Sequence, residues 1–278
     1  MGQDQQRAGV SLAAAALLLL LLCAGALAAQ VSKDRLSPGY DSYQKANALF
    51  VDKKFPEAAE AVDAALRLNP KLVPALTLKA KLAMAANNLD LARACLEAAL
   101  AADPSSEYAL FLYGFQFYLR DDMERAVPEF EKARKLNPSD PRPAAYLARS
   151  MEAMGQVERA LSLYSEAVHL EEAASGAQTE TLLAGSRLLI PAGKLDESER
   201  WIRKALKGEP DSRDVHYELA RLLLRKGDAA GAAAEGEAAL RLTKGNTPDR
   251  QIHYVLVMAY RERSPADAAR HAKAIGQD

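Results

Sequence analysis

The segments FPEAAEAVDAALRLNP, LDLARACLEAALAADP and MERAVPEFEKARKLNP repeat one arrangement of apolar and polar positions, closing at Pro70, Pro104 and Pro138. Both steps are 34 residues, and the step from Pro138 to Pro210 is two such periods plus four residues. A fixed period of this length marks stacked supersecondary units, each unable to bury its apolar face without a neighbour. The units start near Gly39, Val73, Glu107, Pro141, Thr179, Arg213 and Arg250. Two small, polar stretches, AASGAQ between Glu172 and Thr179 and GNTP after Lys244, are expected to absorb the register shifts as lengthened turns.

Within each unit the pattern predicts two helices. The eighth place holds Ala46, Ala80, Gly114, Ala148, Ser186 and Ala220 in successive units. The twentieth runs from Ala58 through Ser198 to Ala269, and the twenty-seventh is alanine from Ala65 to Ala239. Helix axes approach to about 8 Å only where the residues at the crossing are small. Larger residues such as Leu66 and Phe130 flank these places at helical spacing and fill the groove.

Midway through each unit stand pairs such as Lys53-Lys54, Asn87-Asn88, Asp121-Asp122 and Gly227-Asp228, which suit a left-handed residue and a turn. The closing prolines stop the second helix, because proline cannot donate the bond that would continue it. Pro128 is expected in the tolerant first turns of its helix, and Pro191 is expected to shorten or kink the end of a first helix.

Ahead of the repeats, SLAAAALLLLLLCAGALAA has the character of an export signal, with Ala26 and Ala28 in a cleavage arrangement and only Arg7 as a basic flank. Residues 1–29 are read as that signal, 30–38 as a polar linker and 39–278 as the repeat region, with about six full units and one partial unit. An uncleaved anchor stays open as the alternative, because the apolar run from Val10 to Ala29 has the length of a membrane-spanning helix. Lipidation at Cys23 is disfavoured by Leu22, which stands where a small residue is needed.

Composition narrows the function. The net charge is −1, so no global basic field draws the chain to nucleic acid or anionic lipid, and no nucleic-acid partner is expected. Cleavage would leave Cys95 as the sole cysteine, on an Ala/Leu helix face, where it reads as a packed thiol and not a disulfide partner.

The small-residue places with a closing proline, seen in YQKANALFVDKKFPEAAEAVDAALRLNP and FLYGFQFYLRDDMERAVPEFEKARKLNP, resemble the tetratricopeptide repeat family over about residues 39 to 276. The family tryptophan is absent; its place holds Ser42, Leu76, Leu110, Ala144, Leu182, His216 and His253. The resemblance implies an all-α fold, a right-handed α-solenoid of stacked antiparallel helix pairs, with a concave groove that binds protein or peptide segments. The inward places implied by the family fall on Tyr40, Tyr43, Asn47, Phe50 and Lys81, then Tyr108, Phe111, Phe115 and Tyr118, then Arg149, Arg187 and Arg221. Aromatics therefore gather in the N-terminal half. The three arginines share the ninth place of consecutive units, and such a ladder suits the acidic side chains or C-terminal carboxylate of a peptide. The same arginines could equally solvate the groove and pair with neighbouring carboxylates. The family's carboxylate clamp for chaperone tails is not supported, because Tyr43 stands where a lysine is needed and only Asn47 matches.

No catalytic site, metal site or cofactor is expected. His169, His216, His253 and His271 lack ligand spacing, and no phosphate loop or nucleophile elbow is present. Were the chain an enzyme, His253, His271 and Asp267 would be the first pocket to test. The reading is a noncatalytic interaction scaffold, exported to the periplasm or beyond. The alternative is a membrane-tethered assembly factor held by an uncleaved N-terminal helix.

Overall fold

The computed structural model describes residues 37–174 and 176–276. The apolar segment 1–29, with its cleavage motif and Cys23, lies outside the described residues. Among the described residues fourteen helices follow in consecutive pairs. They are α1 (Tyr40–Val51) with α2 (Phe55–Leu68), α3 (Val73–Ala85) with α4 (Leu89–Ala102), α5 (Glu107–Tyr118) with α6 (Met123–Leu136), and α7 (Pro141–Ala153) with α8 (Val157–Ala174). The remainder are α9 (Thr179–Leu189) with α10 (Leu195–Gly208), α11 (Arg213–Lys226) with α12 (Ala229–Arg241), and α13 (Asp249–Tyr260) with α14 (Pro265–Ile275). None is long and apolar enough to cross a membrane.

The turn inside the first six pairs explains why the period repeats. Lys53, Asn87, Asp121, Gly155, Gly193 and Gly227 all take positive φ, between 56° and 83°, at the fifteenth place of their units. The next amide then reaches back to close the helix, as Lys54 N does to the Leu49 carbonyl at 2.9 Å and Asp228 N to the Leu223 carbonyl at 2.9 Å. This left-handed closure satisfies carbonyls the helix end would otherwise strand. The residue that follows caps the second helix where its side chain allows. Asn88 accepts from Leu91 N at 3.1 Å and Asp122 from Arg125 N at 3.2 Å.

Contacts divide the chain into two compact units, the first ending at Gln116 and the second beginning at Phe117. In the first, Ala46, Val62, Ala65, Leu72, Ala75 and Leu78 form one core, and Leu76, Ala99 and Ala109 a second. In the second, a continuous core runs from Val168 and Leu182 through Ile202, Leu219 and Leu222 to Leu256. The predicted crossings are closed: Ala58, Ala92, Ala126, Ala160, Ala167 and Ala220 are all fully buried.

Four expectations are corrected. The four residues inserted in the fourth unit do not merely lengthen a turn: α8 continues through Ala174 for 18 residues, where the other second helices have 11 to 14. Four residues are close to one helical turn, so the added length keeps the apolar face in phase. Pro128 is the sixth residue of α6, in its interior and past the initial donors that lack partners. In the seventh pair α14 begins one residue early in the register, so the predicted crossing at Ala269 is exposed and Ala268 is partly buried instead. Phe111, expected on an inward groove face, is only 6 % exposed and is packed. Pro191 behaves as its chemistry requires, with α9 stopping at Leu189.

Candidate functional site

The first unit gathers its aromatic residues, but largely as packing. Tyr40 and Tyr43 have ring centroids 5.5 Å apart and lean, with Phe50, on the first core. Lys81 places its ammonium 4.2 Å from the Phe50 ring, a cation–π contact that anchors the lysine stem over an apolar surface. Tyr108, Phe111 and Phe115 form a stacked run with centroids 6.4 and 6.2 Å apart. Asn47 is exposed.

Three cavities lie in the second unit. One of about 420 Å³ is lined by Tyr118, Arg149, Glu152, Tyr164, Glu180 and Arg187 among others. A second, of about 670 Å³, lies against Arg187, Tyr217, Glu218 and Arg221 and extends to Thr247 and Pro248. A third, of about 970 Å³, joins Arg187 and Arg221 to Ile190, Leu224, Tyr254 and Met258. Arg187 borders all three.

The structure thus places the three arginines along one series of cavities, and each has a carboxylate. Arg149 Nη1 lies 2.9 Å from Glu180 Oε1, with its guanidinium 5.0 Å from the Tyr146 ring. Tyr118 meets the same Tyr146 ring edge-on at 5.3 Å. Arg187 Nε donates to Glu218 Oε1 at 2.6 Å, and Arg221 Nη1 to Glu218 Oε2 at 2.7 Å. Glu218 is almost fully buried, whereas the Arg187 side chain is 47 % exposed. Burial works against charge on Arg149 and Arg187, but the ion pairs with Glu180 and Glu218 outweigh it and hold both guanidinium pKa values above the ordinary range.

Sequence reasoning missed Glu218. It occupies the sixth place of its unit, where an acidic side chain on a helix reads as a surface group. Its partner on α9 is 31 residues away. Also missed was the brace beneath the second cavity. Asp214 accepts from Asn246 N at 3.0 Å and Thr247 N at 2.7 Å, tying the loop after α12 to the start of α11. Burial would raise the Asp214 pKa, but these bonds and the Thr247 hydroxyl hold it below the usual carboxylate value.

His216, His253 and His271 pack, whereas His169 is exposed. His216 meets Glu235 at 2.6 Å and the Pro210 carbonyl at 3.0 Å. His253 Nδ1 and His271 Nδ1 do come together, at 2.9 Å, but the carboxylate at this pair is Glu237, 3.1 Å from His271 Nε2. Asp267, the carboxylate expected there, instead accepts from Ser264 Oγ at 2.6 Å and pairs with Arg270 at 3.3 Å. Among the described residues no group of three or more histidine, cysteine or acidic side chains is placed to hold a metal ion.

Comparisons with known proteins agree with this architecture. The family model described as tetratricopeptide repeat matches residues 77–141 and 183–249. No curated protein matches the sequence. Among solved structures, pilF of Pseudomonas aeruginosa is 19 % identical with a TM-score of 0.67, over 73 % of this chain and 90 % of that one. PilW, a widely conserved type IV pilus biogenesis factor, is 14 % identical with a TM-score of 0.62, over 75 % of this chain and 94 % of that one. YrrB, a repeat protein of the same kind with an unusual peptide-binding site, is 22 % identical with a TM-score of 0.55, over 73 % of this chain and 97 % of that one. At these identities the likeness is one of fold. Helix pairs of the same kind continue on both sides of the two matched segments, and the chain carries tetratricopeptide repeats in an all-α fold of consecutive helix pairs.

Proposed function

We propose that the chain holds an extended segment of a protein partner against the inner helices of its second unit, gripping acidic groups with Arg149, Arg187 and Arg221. The observation that carries this reading is the position of Arg187, which borders three cavities and leaves its side chain about half exposed. Tyr254 and Met258, 62 % and 41 % exposed, offer apolar contact beside it. Tyr108, Phe115 and Tyr118, with Tyr40, Tyr43, Asn47 and Lys81, remain candidates for contacts that owe less to charge. The scaffold works outside the cytoplasm in this reading, which rests on the apolar run and the Ala26/Ala28 arrangement. An N-terminus at Ala29 or Gln30, found by mass measurement of the purified protein, supports export; an intact Met1 supports the tethered form.

The test is recovery of partners by the wild-type chain and by an Arg149/Arg187/Arg221→Ala variant. Each arginine removed from a charged hydrogen bond should cost about 1.5–3 kcal/mol of affinity, and added salt should weaken the interaction. Salt-insensitive recovery that survives all three substitutions would reduce the arginines to a solvated face.

A further inference from the structure

We infer that the groove selects a single carboxylate, carried by an acidic residue inside the partner segment and flanked there by an apolar side chain. This rests on the groove reading above and adds the chemistry of the ligand.

Charge balance sets the first requirement. Two guanidinium groups, Arg187 and Arg221, share the one carboxylate of Glu218, so the trio keeps a single net positive charge. In the cavity that reaches Tyr254 and Met258, Arg225 and Glu262 add one charge of each sign and leave that balance unchanged. The cavity that extends to Thr247 instead adds Lys244 against Glu180, Glu209 and Asp214, so the anion site lies on the Tyr254 side. A monovalent anion completes the site. A phosphate group, which approaches two negative charges at neutral pH, would overfill it beside the acidic Glu218.

Donor geometry sets the second. Arg187 spends Nε on Glu218, and its two terminal nitrogens make no hydrogen bond among the described residues. The Nε bond to Glu218 anchors the guanidinium and leaves its terminal nitrogens as a two-pronged donor of the shape that matches a carboxylate. Ile190, Leu224, Tyr254 and Met258 supply an apolar wall next to that donor.

The choice of an internal residue over a chain terminus follows from the position of Arg187 between cavities. One cavity reaches back to Tyr118 and Arg149, another forward to Tyr254 and Met258. A chain end would occupy one side; a chain passing through occupies both.

The test measures binding of short synthetic peptides, blocked at both ends, to the full chain. They carry a central Glu, Gln or phosphoserine beside Leu, Phe or Ser, and one matched peptide has a free C-terminal carboxylate but no acidic side chain. Blocked Glu peptides with an apolar neighbour should bind about tenfold more tightly than their Gln counterparts. Phosphoserine should give no gain over Glu. Arg187→Gln should abolish the Glu preference, and Tyr254→Ala should weaken the Leu and Phe peptides while preserving it. Equal binding of Glu and Gln, preference for phosphoserine, or binding confined to the free C-terminus would overturn this inference and leave the groove reading standing. Peptide binding unaffected by either protein variant, or no peptide binding at all, overturns both. Because the Glu/Gln comparison is made on the unaltered protein, it holds even if Arg187→Gln fails to fold.

Discussion

Arg187 on α9 and Glu218 on α11 are joined Nε to Oε1 at 2.6 Å, with the carboxylate almost wholly buried and the guanidinium about half in solvent. The pair links neighbouring repeats, and Glu218 also accepts from Arg221 of its own helix at 2.7 Å. Replacing the carboxylate with an amide leaves both guanidinium groups without their charge partner, and it turns an amide N–H toward one of them. Glu218→Gln should lower stability by about 1–3 kcal/mol, discounted from the cost of breaking a fully buried pair because both arginines reach water. The denaturant midpoint measures it, and an unchanged midpoint would show that the bridge is incidental.

Ala133 and Ala167 occupy helix crossings and are 1 % and 0 % exposed. Ala133→Leu or Ala167→Leu inserts a branched side chain where neighbouring helices touch, and should cost about 1–3 kcal/mol. Chemical denaturation reads this directly. If both variants kept the wild-type midpoint, the packing register described above would be wrong.

Gly185 on α9 faces the indole of Trp201 on α10, and a β-carbon added there would run into that ring and lie 3.2 Å from Tyr164 Cβ. The glycine is needed for close approach, since its backbone is ordinary helix. Gly185→Ala should displace the ring, costing about 1–3 kcal/mol. Trp201 is the protein's sole tryptophan, so its emission reports on this contact without interference. A fluorescence spectrum identical to wild type would sink the assignment.

His271 on α14 is 4 % exposed and lies between His253 of α13 and Glu237 of α12, with Tyr260 stacked on its ring and Arg270 and Asp267 alongside. Burial lowers its pKa below the ordinary 6.5; Glu237 opposes that, while Arg270 and His253 reinforce it. A histidine whose folded pKa is depressed stabilises the fold above its unfolded pKa and loses that contribution as pH falls through the folded one. The last helix pair should therefore loosen on acidification below pH 6.5. Hydrogen exchange in α13 and α14, followed across that range in wild type and His271→Gln, tests this. The variant's exchange should depend less on pH, and matching profiles would assign the effect elsewhere.

The 34-residue spacing of Pro70, Pro104 and Pro138 determines the helix pairs by itself, because the information is local. A left-handed residue such as Gly227, a cap such as Asp228 and a small residue such as Ala232 act on the chain within a turn or two of their own positions. The three arginines were legible for the same reason, as one place repeated. What only the tertiary structure decided is which side chains of neighbouring repeats answer each other, 31 residues apart for Arg187 and Glu218 and 34 for Glu237 and His271. Glu218 bridges Arg187 and Arg221, Glu237 and not Asp267 reaches His271, and Phe111 packs instead of facing a groove. Each choice depends on how far two helix faces are rotated and how closely they approach. Periodicity gives the face on which a residue sits, but the partner that reaches it is set by the packed distance between helices.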